Sequence, residues 1–249
     1  MHGDPLSIGL AILGAMALGF GKGGLAGIGM IGLPLMVFAF PPVEAAAILL
    51  PLLIVQDAFS VCIYRKSWNG PILAWAVPGS IVGIAAGAYF AASVSTGAIL
   101  ALVGSISILF ALWRFWTAYH KLGSGPFFDK QWPGSIFGIA AGFTSQVAHA
   151  GAPPFQMWVM PKYLPHREFV GTNAIFFAIT NWIKVPAYIA LGAFSGDTLR
   201  YAAMLMPAGI LATFLGAWVV DRVNGPAFYA FVNVMLALVG LALLWEAVA

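Results

Sequence analysis

Lys22 stands in Gly21-Lys22-Gly23-Gly24, a polar break in an otherwise apolar stretch. On insertion scales a lysine at the centre of a membrane helix costs about 2.5–3.5 kcal/mol, which marks an intramembrane cation as a candidate for function. The glycines beside it would let a ligand approach the backbone. A helix starting near Leu25 would turn its free N–H groups and the positive end of its dipole toward the same space. Together these features suit a small anion. The bland reading is a break at the membrane surface, with Lys22 reaching out to water along its own stem.

A second break, Thr144 to Pro154, holds Ser145, Gln146 and His149, three groups able to donate to an oxyanion. Pro153-Pro154 favours a helix start directly after them. His149 is equally suited to packing, to substrate or to carrying a proton. Further on, Thr172, Asn173, Thr180, Asn181 and Lys184 share one apolar run. Asn173, Thr180, Asn181 and Lys184 fall close to a single stripe at helical spacing, a stripe that should face the interior. Lys184 needs an anionic partner there. Asp57, beside Gln56 in the related run of the first half, is the candidate, as a structural pair or as a gating and proton-coupling pair.

Other chemistries find no support. Metal-ligand spacing is absent around His2, His120 and His166, and the chain has no phosphate-binding loop, nucleophile elbow or dinucleotide fingerprint, so neither a metal nor a cofactor is expected. An intramembrane enzyme using Ser145 and His149 lacks a recognisable nucleophile–base motif. Cys62 is the single cysteine, which rules out an intrachain disulfide.

The elements that position these residues must be membrane helices. Of 249 residues, 61% are hydrophobic and 8% charged, with a mean hydropathy of +0.95. A soluble domain carries about 25% charged residues, and a chain of this size could not hide so much apolar surface in one core. Eleven Lys and Arg, mostly in short loops, are a topology signal and not a nucleic-acid surface. The first residues lack a basic region, so the first apolar run is expected to be mature structure.

Six runs have the length of a crossing, about 20 residues: 43–64, 70–92, 95–118, 169–192, 198–220 and 225–247. Two regions differ. The stretches 5–20 and 25–40 flank the first break and are roughly 24 Å of helix each. The stretch 133–143 leads into the second break, and a short run follows it. Each region is expected to return to the side it came from, as a re-entrant hairpin or as two short crossings, with irregular backbone lining a cavity. On that count Arg65, Lys66, Arg114, Lys121, Lys130, Lys162, Arg167 and Arg222 share one side, and Arg200 alone lies on the other. The crowded side is then the cytoplasm, and both termini face outward across the plasma membrane.

The two halves repeat. Gly19-Phe20 and Gly142-Phe143 open the breaks, and Pro78 precedes Gly87-Ala88-Tyr89 by the same nine residues as Pro207 precedes Gly216-Ala217-Trp218. Leu100–Gly104 recurs verbatim as Leu236–Gly240, but seven residues out of step. Each half, 1–122 and 133–249 around a cytoplasmic linker at 123–132, would hold one broken pair and three crossings. An odd number of crossings inverts the second half relative to the first. The expected fold is an all-α polytopic membrane protein of two inverted repeats, with a site near the midplane. Gly83, Gly87, Gly134, Gly138 and Gly142 read as helix-contact faces, and Trp68, Trp132 and Tyr163 as interfacial anchors.

Gly19-Phe20-Gly21-Lys22-Gly23-Gly24 with the small residues up to Pro34 resembles the opening motif of the sulfite exporter TauE/SafE family. A more specific likeness runs from Ala148-His149-Ala150-Gly151-Ala152-Pro153-Pro154-Phe155-Gln156 through Phe169-Val170-Gly171-Thr172-Asn173 to Asn181-Trp182-Ile183-Lys184-Val185-Pro186. The resemblance places Lys22, Thr172, Asn173, Asn181 and Lys184 in motif positions. It implies transport, often export, of sulfite, sulfonates and related organosulfur anions; the two inverted halves of such a secondary carrier would rock around the midplane anion site. A passive anion channel on the same site is the alternative. Proton coupling and a homodimer are both compatible with the sequence.

Overall fold

The computed structural model describes residues 5–29, 31–90, 95–120, 125–190, 192 and 194–248. His2, Lys121 and linker positions 123–124, named above, lie outside these residues. The first broken region is α1 (Pro5–Lys22), α2 (Ala26–Gly29) and α3 (Gly32–Val37). Then come α4 (Pro42–Tyr64), α5 (Gly70–Phe90) and α6 (Thr96–Tyr119), and α7 (Pro126–Asp129) in the linker. The second broken region is α8 (Pro133–Ala148) and α9 (Ala152–Val159), which runs on into a 3-10 turn at Met160–Lys162. It is followed by α10 (His166–Ala190), α11 (Gly196–Val220) and α12 (Gly225–Val248). Among the described residues there is no strand. Among the same residues five helices are long and apolar enough to cross a membrane: α1, α5, α11 and most of α4 and α12. The chain is an all-α polytopic membrane protein, and its six long apolar runs are α4, α5, α6, α10, α11 and α12.

The breaks sit later than the sequence suggested. α1 continues through Lys22, and α8 continues through Thr144, Ser145 and Gln146 to Ala148. Apolar surroundings give an unpaired backbone group no alternative partner, so a helix persists until a residue can turn it. At the first break that residue is Gly24, at φ +123°. Leu25 N–H donates to Phe20 O (3.0 Å) and Gly24 N–H to Gly21 O (3.2 Å), the paired bonds of a Schellman turn. At the second, His149 takes the left-handed conformation (φ 52°) and Ala150 N–H donates to Thr144 O. The single helix expected from Leu25 is not formed either. Helices of four and six residues replace it, so no sustained dipole points back at Lys22. With eight residues, α9 spans about 12 Å, far short of the ~30 Å hydrocarbon core.

The chain divides into two compact units, each drawing on both sequence halves. The first holds Met1–Ser67 and Asn173–Val223. In it α1 lies along α11, and α11 along α4. A Cβ on Gly19 would strike Gly209 O, and one on Gly23 would strike Thr213 O, so these backbones touch. Ala11, Ala15, Leu18, Met36, Phe40, Ile48, Leu49, Leu52 and Leu205 fill the core beside that contact.

The second unit holds Trp68–Thr172 and Asn224–Ala249. Here α5 lies along α8, with Gly79 against Ser135, Gly83 against Ile139, Gly87 against Gln146, Gly138 against Ala76 and Gly142 against Ser80. The glycines expected to make helix contacts do so, Gly134 beneath the Trp158 ring included. α6 and α12 run antiparallel. Gly97 meets Ala247, Gly104 meets Gly240, and Asn233 Nδ2 donates to Ala111 O (3.3 Å). These contacts recur about two helical turns apart, and the glycines that end the two copies of the repeated pentapeptide, Gly104 and Gly240, are each other's partners.

Candidate functional site

α1 ends inside its unit, and its last carbonyls need partners the helix cannot supply. α4 provides them. Gln56, Ser60 and Tyr64 follow at four-residue steps, one face of a helix. Gln56 Nε2 donates to Ala15 O (3.2 Å), Ser60 Oγ to Lys22 O (2.8 Å) and Tyr64 Oη to Gly23 O (2.7 Å). Tyr64 is fully buried, and Tyr64→Phe is expected to lower stability by about 1 kcal/mol. Thermal unfolding of the solubilised protein measures this, and an unchanged midpoint would mean the bond to the break contributes nothing.

Asp57 points from the same helix at the end of α1. Its Oδ1 lies 2.5 Å from Lys22 Nζ, and its Oδ2 accepts from Asn181 Nδ2 on α10 (2.6 Å). Lys184, one turn beyond Asn181, is 1% exposed and interacts electrostatically with both Asp57 and Lys22. The Lys22 ammonium also sits 5.7 Å from the centre of the Phe177 ring. The stripe expected on α10 is real: Asn173, Thr180, Asn181 and Lys184 are all buried. Three helices therefore bring one carboxylate and two lysines together in an apolar interior. The carboxylate is held by the Lys22 ammonium on one side and the Asn181 amide on the other, with Lys184 acting on it from one turn further along α10.

The glycines around Lys22 have local duties. Gly24 makes the turn, and Gly23 lies against α11. Thr172 is also committed: its hydroxyl donates to Glu168 O (2.7 Å) and accepts from Asn69 N–H (2.9 Å). Asn69 in turn caps α5 through Ile72 N–H and donates to Glu168 Oε1. This cluster fastens the start of α5 to the start of α10.

In the second unit, Ser145 and Gln146 are buried on α8, and Gln146 packs at Gly87. His149 caps α8 and is partly exposed. α9 begins at Ala152 with Pro153-Pro154 in its first turn, as expected. The expected ligands thus fall into two sets. Lys22, Gln56, Asp57, Asn173, Asn181 and Lys184 belong to the first unit, and Ser145, Gln146, His149 and Thr172 to the second.

Sequence reasoning did not find Ser60, Tyr64 and Phe177. The four-residue spacing of Gln56, Ser60 and Tyr64 was the available signal for two of them. Phe177 carried none. The Lys22–Asp57 pair was also unforeseen, because Asp57 had been matched with Lys184.

The family model described as Sulfite exporter TauE/SafE matches residues 11–243. No match is found among curated proteins or among solved structures.

Proposed function

Since the chain belongs to the sulfite exporter TauE/SafE family, a family of membrane transporters and not of enzymes, we propose that it is a secondary transporter of small sulfur-containing anions such as sulfite or organosulfonates. The buried cluster of Lys22, Lys184 and Asp57 is the observation that carries this reading. Ionisable groups inside a membrane protein are expensive to keep, and they mark ion and substrate pathways.

Alternating access around this site draws support from the repeat. Gly19 meets Gly209 as Gly142 meets Ser80, and Gly216 meets Phe20 O as Gly87 meets Phe143 O. These are the same sequence landmarks, Gly-Phe and the Pro-to-Gly spacing, forming one interface twice. Such doubling is what two inverted repeats would produce, and repeats of that kind are the usual basis for rocking around a central site. The cytoplasmic linker and outward termini are part of the same proposal. Within the second unit, Lys162 Nζ donates to Phe128 O (2.7 Å) and Lys130 O (3.3 Å), and Arg114 Nη1 donates to Tyr163 Oη (3.0 Å). Arg114, Lys130 and Lys162 of that unit thus lie close to one another, in accord with the positive-inside rule.

The test is thermal stabilisation of solubilised protein by sulfite, sulfate, taurine, sulfoacetate, isethionate and simple carboxylates, because a ligand of the folded state raises its apparent stability. Sulfur anions should raise the midpoint, and the rise should vanish in Lys22→Ala. A panel without any shift on well-folded protein would remove the anion site.

A further inference from the structure

Arg114, on α6 in the second unit, is 6% exposed. A buried guanidinium calls for a counter-ion and for acceptors on its N–H groups. This one has little of either. No carboxylate pairs with it among the described residues. Its one hydrogen bond among them runs from Nη1 to Tyr163 Oη (3.0 Å), and its Nε is buried without a partner. The Tyr163 ring, with its centre 4.8 Å from the guanidinium, adds a cation–π contact. Of the acidic residues in the same unit, Glu168 accepts from Asn69 Nδ2 and Asp129 acts on Lys162.

Tyr163 carries the arrangement outward. Its side chain is 54% exposed, its hydroxyl oxygen accepts from Arg114, and the hydroxyl proton has no acceptor among the described residues. A guanidinium and a phenol thus stand together with N–H and O–H donors to spare, a donor set suited to phosphate oxygens. The surroundings are those of a membrane interface. Phe115 and Trp116 on α6 are exposed, and Trp113 stacks on Phe128 of the linker, their ring centres 5.3 Å apart. Aromatic residues of this kind sit at the level of lipid headgroups. Lys162 holds the same linker through Phe128 O and Lys130 O, and Lys130 is itself exposed, so further positive charge lies close by.

We propose that Arg114 and Tyr163 form a binding site for the phosphate of an anionic phospholipid. Arg114 answers the phosphodiester charge, and the Tyr163 hydroxyl donates beside it. The lipid in turn supplies the counter-ion that no described carboxylate gives Arg114. Basic pockets between membrane helices hold anionic headgroups by this chemistry. A choline or ethanolamine head would instead bring another cation to a place already rich in them.

The experiment follows thermal unfolding of the solubilised full chain during titration with short-chain phosphatidylglycerol, short-chain phosphatidylcholine, glycerol phosphate and inorganic phosphate. Phosphatidylglycerol should raise the midpoint and saturate, and phosphatidylcholine should bind at least about tenfold more weakly. The two tailless phosphates should not match it. Arg114→Gln should weaken phosphatidylglycerol binding about tenfold, and Tyr163→Phe, which keeps the ring, about fivefold. Lys66→Gln removes an exposed cation of the first unit and should leave the affinity unchanged. If Arg114→Gln does not fold, Tyr163→Phe compared with Lys66→Gln decides. Unaltered affinity in the Arg114 and Tyr163 variants, or an equal loss in Lys66→Gln, overturns the site. Equal binding of the two lipids, or inorganic phosphate binding as tightly as phosphatidylglycerol, overturns the assignment to an anionic lipid.

Discussion

Asp57→Ala should destabilise the folded protein by about 3–5 kcal/mol, the range found when one partner of a buried ion pair is removed. The variant keeps Lys22 and the fully buried Lys184 but takes away the carboxylate that lies against them. Asn181 Nδ2 loses its acceptor in the same step. The pair itself is not expected to be a large net source of stability, because bringing two charges out of water opposes their attraction. A double variant, Lys22→Met with Asp57→Leu, should therefore recover the part of the loss that comes from leaving Lys22 uncompensated. Thermal unfolding and the fraction of monodisperse protein in detergent report both changes. A double variant no better than Asp57→Ala would mean that the carboxylate acts through something other than charge compensation of Lys22.

The second large effect concerns backbone contact. In Gly83→Ala and Gly142→Ala a methyl group would have to occupy the space of Ile139 O and Ser80 O. Backbone cannot step aside as a flexible side chain can, so α5 and α8 must separate. Overpacking of this kind costs about 1–3 kcal/mol, and more where relaxation is blocked. Gly9→Ala is the matched control, since nothing lies within 4 Å of a Cβ there. Removing a helical glycine at that open site should stabilise the protein by roughly 0.5–1 kcal/mol. Opposite signs at chemically identical substitutions would be hard to obtain from helix propensity alone. Equal effects at Gly9 and Gly83 would refute the close-contact account.

The fold class was legible because its signal is local and redundant. Long apolar runs report their own environment, and the six found by length became six helices with ends moved by a few residues. The stripe on α10 was legible for the same reason: spacing along one helix decides which residues share a face. The breaks were legible in kind but not in position. Gly24 and His149 end their helices, and only the backbone bonds around them show that Lys22, Ser145 and Gln146 still belong to helical turns.

Partnership between helices was not legible. Gly104 and Gly240 stand in a repeated pentapeptide, and nothing in that repetition says that the two glycines face each other across α6 and α12. The sequence offers Asp57 to Lys184 because both lie in related runs. The end of α1 lies beside α4 as well, which puts Lys22 2.5 Å from the same carboxylate, with Lys184 acting on both. By itself the sequence determined that this chain is a membrane protein, where its long apolar helices run, and which few polar groups they carry. The tertiary structure decided which of those groups neutralise one another, because in an apolar interior a charge is answered only by whatever packing places beside it.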